Sequence, residues 1–258
     1  MKNKEQNITE KKINSTNTFV GVDALVGLPP IILDLCGGTG SWSKPYAEAG
    51  YEVLVITLPK YDVTKVDYLW WCLEFKDNEG NVLHVDVKRI IGVLAAPPCT
   101  QFSFARTNAK EERDLIKGME TVRACLDIIW FLQAHYENQY QKKSYLKFWA
   151  LENPNGYLKY FLGKPVFEFQ PFEFGDHYKK KTHIWGYFNV PKKIYSKDSE
   201  VMSEEEIKLC KTNSRKLPKF DKMKSKDIHP EYFGKLDRQA RRAITPRGFA
   251  TAFYTANR

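Results

Sequence analysis

The run Pro30-Ile31-Ile32-Leu33-Asp34-Leu35-Cys36, cut off by Gly37-Gly38-Thr39-Gly40, constrains the fold more than any other segment of the chain. A short apolar run bounded by glycines predicts a buried strand that stops at a tight turn. The next residues predict a helix over 41–49 that closes at Gly50, a favourable residue for ending a helix, and a second strand over 51–56. The stretch after it carries no clear period. Residues 90–96 are again a buried strand, broken by Pro97-Pro98. Over 111–139, Leu115, Met119, Val122, Leu126, Ile129 and Trp130 recur at helical spacing and define one apolar face. Residues 148–151 predict another strand, ending at Glu152-Asn153-Pro154. Strands alternating with helices, with the chemically interesting residues at the strands' C-terminal ends, predict an α/β fold with a doubly wound, mostly parallel sheet.

Composition narrows the class of partner. Forty Lys and Arg against thirty-one Asp and Glu leave a formal charge of +9, which favours a polyanion. Aromatic residues make up 14% of the chain and cluster at Tyr68-Leu69-Trp70-Trp71 and between Phe167 and Phe174; as large apolar groups they are expected in the core. The five cysteines (36, 72, 99, 125 and 210) show neither CxxC spacing nor a His/Cys pattern, so neither a disulfide framework nor a metal centre is expected. No run is apolar enough to span a bilayer, which leads to the expectation of a soluble protein in a reducing, cytoplasmic compartment. Residues 1–18 read as a loose basic arm and 19–186 as the main α/β domain. Residues 187–237, with alternating charge and few large apolar residues, read as a short variable insert or a solvated excursion, and 238–258 as a return to the main domain.

Three motifs carry chemistry. The glycine turn lacks the lysine of a phosphate-binding loop; it suits a carboxylate-bearing cofactor, and a tight turn without any ligand fits it as well. Cys99 follows two prolines on a stiff loop at a strand end. A lone cysteine is ordinarily structural, but polar neighbours leave this one open to activation as a thiolate. Glu152 is a carboxylate at a strand boundary, where it either has a partner or faces a helix N-terminus.

In this order, Leu33-Asp34-Leu35-Cys36-Gly37-Gly38-Thr39-Gly40, then Pro97-Pro98-Cys99-Thr100-Gln101-Phe102-Ser103, then Glu152-Asn153-Pro154, the blocks resemble those of the cytosine-5 DNA methyltransferase family. The resemblance extends over residues 30–186 and 238–250, where Arg242-Ala243-Ile244-Thr245 is similar to the family's RxLT block. It implies a Rossmann-like methyltransferase fold with a small recognition insert at 187–237, and S-adenosylmethionine held by Asp34, Leu35, Cys36, Gly37, Gly38, Thr39, Gly40, Asp86 and Pro97. Asp86, in His84-Val85-Asp86-Val87, takes the role of contacting the adenine amino group. Cys99 becomes the nucleophile toward carbon 6 of cytosine and Glu152 the group at N3. Lys179 and Lys181 stand where the family has two arginines. Ser103, Arg106, Asn153 and Arg242 are expected to face double-stranded DNA.

The sequence also departs from the family. No acidic residue follows the second strand directly, Asp62 being a distant substitute; the tripeptide ends in Pro154; and the family's last block is not recognisable. The compact form is similar to phage or mobile-element methyltransferases, with sequence discrimination modest or supplied by a cognate restriction or recognition subunit. RNA as the substrate, or a non-catalytic nucleic-acid-binding module, are the alternatives.

Overall fold

A computed structural model describes residues 27–106, 111–137, 146–203, 217, 219 and 230–258. The arm at 1–18, Cys210 and much of the insert at 187–237 lie outside the described residues. The first strand, β1 (Ile31–Leu35), is buried along its whole length. The predicted helix after it is shorter than its apolar pattern, α1 (Lys44–Glu48), because residues 38–43 are taken up by turns. It leads into β2 (Glu52–Ile56).

The stretch without a clear period forms an antiparallel sheet of three strands, β3 (Tyr61–Tyr68), β4 (Cys72–Asp77) and β5 (Val82–Asp86). The β4–β5 turn is held by the Asp77 carboxylate, which accepts from the backbone N–H groups of Glu79 and Asn81, with Gly80 at φ +85°. From there the chain enters β6 (Ile90–Ala95), the long helix α2 (Leu115–Glu137) and β7 (Phe148–Pro154). A short helix α3 (Lys159–Leu162) precedes β8 (Phe167–Phe169) and β9 (Thr182–Tyr187). Two helices end the chain, α4 (Arg238–Ala243) and α5 (Arg247–Ala256).

Six strands make one sheet in the order β2-β1-β6-β7-β9-β8. The neighbours β2, β1, β6 and β7 are parallel, and β9 is antiparallel to both of its neighbours. This is a mixed α/β fold with a mostly parallel sheet, compatible with a Rossmann-like arrangement. Alternation along each strand divides its side chains between two cores. Ile31, Leu33, Leu35, Val93, Ala95 and Leu151 pack against Val122, Cys125, Ile129 and Leu132 of α2 and against the inserted sheet. Ile32, Leu94, Phe148 and Ala150 pack on the other face against Trp42, Tyr46, Phe249 and Phe253. Within this second core Phe249 is stacked on Phe169 at a ring separation of 3.9 Å.

Three expectations are corrected. Phe169, Phe172 and Phe174 are core residues, but Tyr68, Leu69, Trp70 and Trp71 cap the β3–β4 turn at 36–60% exposure. Trp130 is 53% exposed and lies off the buried face of α2, which uses Cys125 and Ile128 instead. The strand β7 also runs through Glu152-Asn153-Pro154, because β9 continues to pair there, from Trp149↔Tyr187 to Pro154↔Thr182. Proline is tolerated at that point since pairing with β6 has already stopped at Ala95↔Leu151. Among the described residues no helix is long and apolar enough to cross a membrane.

Candidate active site

The sheet changes its winding direction between β1 and β6, and in open α/β sheets ligands bind outside the C-terminal strand ends at such a point. The glycine turn follows β1 there, and the Pro97-Pro98-Cys99 loop follows β6. Asp34 is fully buried beneath the turn, so close that a Cβ on Gly37 would stand 2.3 Å from its carboxyl carbon. Only glycine fits that position. Ser43 Oγ donates to Asp34 Oδ2 at 2.6 Å, while Asp34 Oδ1, Thr39 Oγ1 and Trp42 Nε1 are buried without a partner. Burial pushes the Asp34 carboxyl up to about 7, with the Ser43 hydrogen bond pulling the other way.

Of the other residues assigned to the cofactor, Leu35 is a core side chain whose carbonyl accepts from Ala96 N–H. Cys36 has a positive φ of +57° and donates its N–H to Ile56 O at 2.7 Å, fixing the exit of β1. Pro97 is buried, and its carbonyl accepts from Asn153 Nδ2 at 3.0 Å. Asp86 is not brought to this site. It ends β5 and caps the turn that feeds the N-terminal end of β6, opposite the end that carries Cys99, and its carboxylate accepts from Lys88 N–H. Asp62, at the start of β3 just past the C-terminal end of β2, lies at the sheet end where the glycine turn stands.

A cleft of about 540 Å³ opens beside Cys99. Its lining includes Ser103, Phe104, Pro154 and five cationic residues, Lys179, Lys180, Lys181, Lys219 and Arg242. Cys99 is half-buried, and burial pushes its thiol above the ordinary range; the Lys180 ammonium pulls it down, Glu152 pushes it up and Arg242 pulls it down. Glu152 is likewise pushed up by burial and pulled back by Lys180. A thiol, a carboxyl and one ammonium thus form a single electrostatic unit.

Lys180 was not among the residues singled out in the sequence. Lys179 is paired with Asp198, and Lys181 with Glu168 at 2.8 Å, so the two lysines expected to serve the reacting groups are held by carboxylates at the cleft wall. Lys180 lies between them and donates to Arg242 O at 2.8 Å.

The loop bearing Cys99 is fastened to the loop after β7. Ser103 and Gly156 form a bridge, Tyr157 N–H donates to Phe102 O at 2.9 Å, and a Cβ on Gly156 would stand 2.2 Å from that same oxygen. Arg113 donates to the carbonyls of Gln101 and Ser103, both at 2.8 Å. Two residues expected to face DNA are used internally. Arg106 donates to Gln101 Oε1 at 2.6 Å and to Glu111 O, and Asn153 is fully buried. Ser103, although 95% buried, and Arg242 line the cleft. A separate cluster escaped the sequence reading because it is built across strands: Cys72, Glu74 and His84 gather within 4.8 Å on β4 and β5, with His84 Nδ1 3.0 Å from Glu74 Oε1.

No protein-family model matches the chain, and no curated protein matches it either.

Proposed function

We propose that the chain is a cytosine-5 methyltransferase acting on DNA, with a Rossmann-like methyltransferase fold and S-adenosylmethionine as methyl donor. The observation that carries this reading is that Cys99 after β6, Glu152 on β7 and Lys180 before β9 share one end of the sheet, beside a cleft lined by cations.

The chain's own residues suit the cofactor. Asp34 Oδ1, buried and unpartnered, matches a ligand ammonium, and Gly38 and Gly40, both with positive φ, let a ligand approach the backbone. Asp62, just past the C-terminal end of β2, is at the sheet end suited to the acidic role that follows the second strand, whereas Asp86, at the opposite end of β6, does not reach the adenine role. When bound, S-adenosylmethionine supplies the methyl group that carbon 5 accepts.

Carbon 5 of cytosine is a weak nucleophile until a group adds across the 5,6 double bond. The Cys99 thiolate forms a bond to carbon 6, and the electron pair of the double bond becomes available at carbon 5. Glu152, whose carboxyl burial shifts toward the protonated form, is placed to donate toward N3 and to stabilise the charge gathering there. Water takes the carbon 5 proton, the pair of that C–H bond re-forms the double bond, and the Cys99 sulfur departs from carbon 6 with its own pair as thiolate. The target base must leave its stack to reach such a cleft. The basic lining of the cleft supports a polynucleotide substrate.

The deciding experiment supplies methyl-labelled S-adenosylmethionine with DNA or RNA and digests the product to nucleosides. Label in 5-methyldeoxycytidine is expected. Label in RNA alone would move the substrate, and no label from folded protein would overturn the reaction.

Lys180→Met tests the electrostatic unit. Without the ammonium, burial and Glu152 are opposed only by Arg242 and a backbone hydrogen bond, so Cys99 ionises at higher pH, and the rise of kcat/KM with pH moves to the alkaline side. An unchanged pH profile would remove Lys180 from the site.

A further inference from the structure

Beside the cleft the surface carries aromatic rings that the chemistry above does not use. Phe104, one of the residues lining the cleft with Cys99, lies edge-on to Tyr157 at a centroid distance of 4.9 Å, and Tyr157 lies 6.1 Å from Tyr160. Their exposures are 39%, 36% and 70%. Lys159 Nζ sits 5.5 Å from the Phe104 ring and 5.2 Å from that of Tyr160, and the Arg113 guanidinium sits 5.1 Å from Tyr157. The rings are rigidly based, because Phe104 and Tyr157 sit on the two loops joined through Ser103 and Gly156.

Contiguous aromatics left in water, interleaved with cations and continuous with a basic cleft, match the surface by which proteins hold unpaired nucleotides. The bases stack on the rings and the phosphates meet the Lys159 ammonium and the basic lining of the cleft. A protein partner would not need the cations, and an intact duplex cannot use the rings, since both faces of each paired base are already covered. We infer that Phe104, Tyr157 and Tyr160 form a stacking platform for unpaired bases of DNA next to the target cytosine, so that the substrate is single-stranded or locally opened. This rests on the methyltransferase reading for the identity of the target base and for DNA in place of RNA.

The test is fluorescence anisotropy at one fixed salt concentration, without cofactor. It uses the full chain with a labelled single-stranded oligodeoxynucleotide, its duplex and the RNA of the same sequence. The single strand is expected to bind at least about tenfold more tightly than the duplex. Tyr160→Ala is expected to weaken single-strand binding about tenfold, in line with the loss of one stacked base, and duplex binding much less. Tyr160→Trp, which restores a π-face, should recover the affinity, whereas a role confined to the phenol hydroxyl would not be recovered. Equal affinity for the two forms of DNA, equal losses on both in Tyr160→Ala, or tighter binding of the RNA would each overturn the proposal. Binding that follows the expected pattern in a chain that transfers no methyl group would leave the platform standing and overturn only the chemistry at Cys99.

Discussion

Cys99→Ala is expected to lower methyl transfer by roughly 10⁵-fold or more, the scale on which removing a covalent nucleophile acts. The fold and the affinity for S-adenosylmethionine should be retained. The side chain is half-buried at the cleft and has no packing role comparable with that of the core cysteine Cys125, so a small truncation leaves the two cores intact. Thermal melting and cofactor titration measured beside the rate separate a chemical loss from a structural one. Residual activity near that of the parent would mean that carbon 6 is attacked by some other group, and the proposed mechanism would fall.

Glu152→Gln probes the second half of the same step. The amide keeps the size of the side chain and its place on β7 opposite Ile184. It also keeps a weak donor but loses the acidic proton, so kcat is expected to fall ~10²–10⁴-fold, the usual range for a positioned proton donor. The substitution also removes the carboxyl that pushes the Cys99 thiol upward. The thiol in Glu152→Gln should therefore react with an alkylating reagent at lower pH than in the parent. Because exposing a buried thiol would also ease its ionisation, thermal melting of Glu152→Gln beside the titration separates the electrostatic effect from misfolding. If kcat is unchanged, Glu152 plays no part in proton handling.

Both variants act on residues that could be found in the sequence because their surroundings are local. A glycine turn after an apolar run, two prolines before a cysteine and a carboxylate ending a strand each announce themselves within a few residues. The sites that were missed depend on geometry that local strings do not carry. Three consecutive lysines at 179–181 give no register, so nothing in the sequence says which one reaches the thiol; the carboxylates of Asp198 and Glu168 decide it by holding the outer two. Asp86 fits its motif as a string, but β5 belongs to a separate sheet that delivers it to the far end of β6. Arg106 and Asn153 have the chemistry of DNA contacts, and their internal hydrogen bonds follow from loop packing alone. The inserted sheet itself left a readable trace, the Asp77-Asn78-Glu79-Gly80-Asn81 turn between two short runs. Its strands mix apolar and charged residues, which obscured the period on either side.

The placement of α5 bears on how the molecule comes into being. Phe249 and Phe253 complete the core above Trp42 and Tyr46, and Thr245 N–H donates to Ser41 Oγ at 2.9 Å beside the glycine turn. Contacts spanning some two hundred positions mean that a ribosome must deliver residue 253 before the N-terminal part of the sheet has both faces covered. Until then a nascent chain carries a finished cysteine loop next to an unfinished ligand pocket. Fragments that stop short of α5 expose the aromatic face that Phe249 and Phe253 cover, a surface that chaperones and proteases recognise.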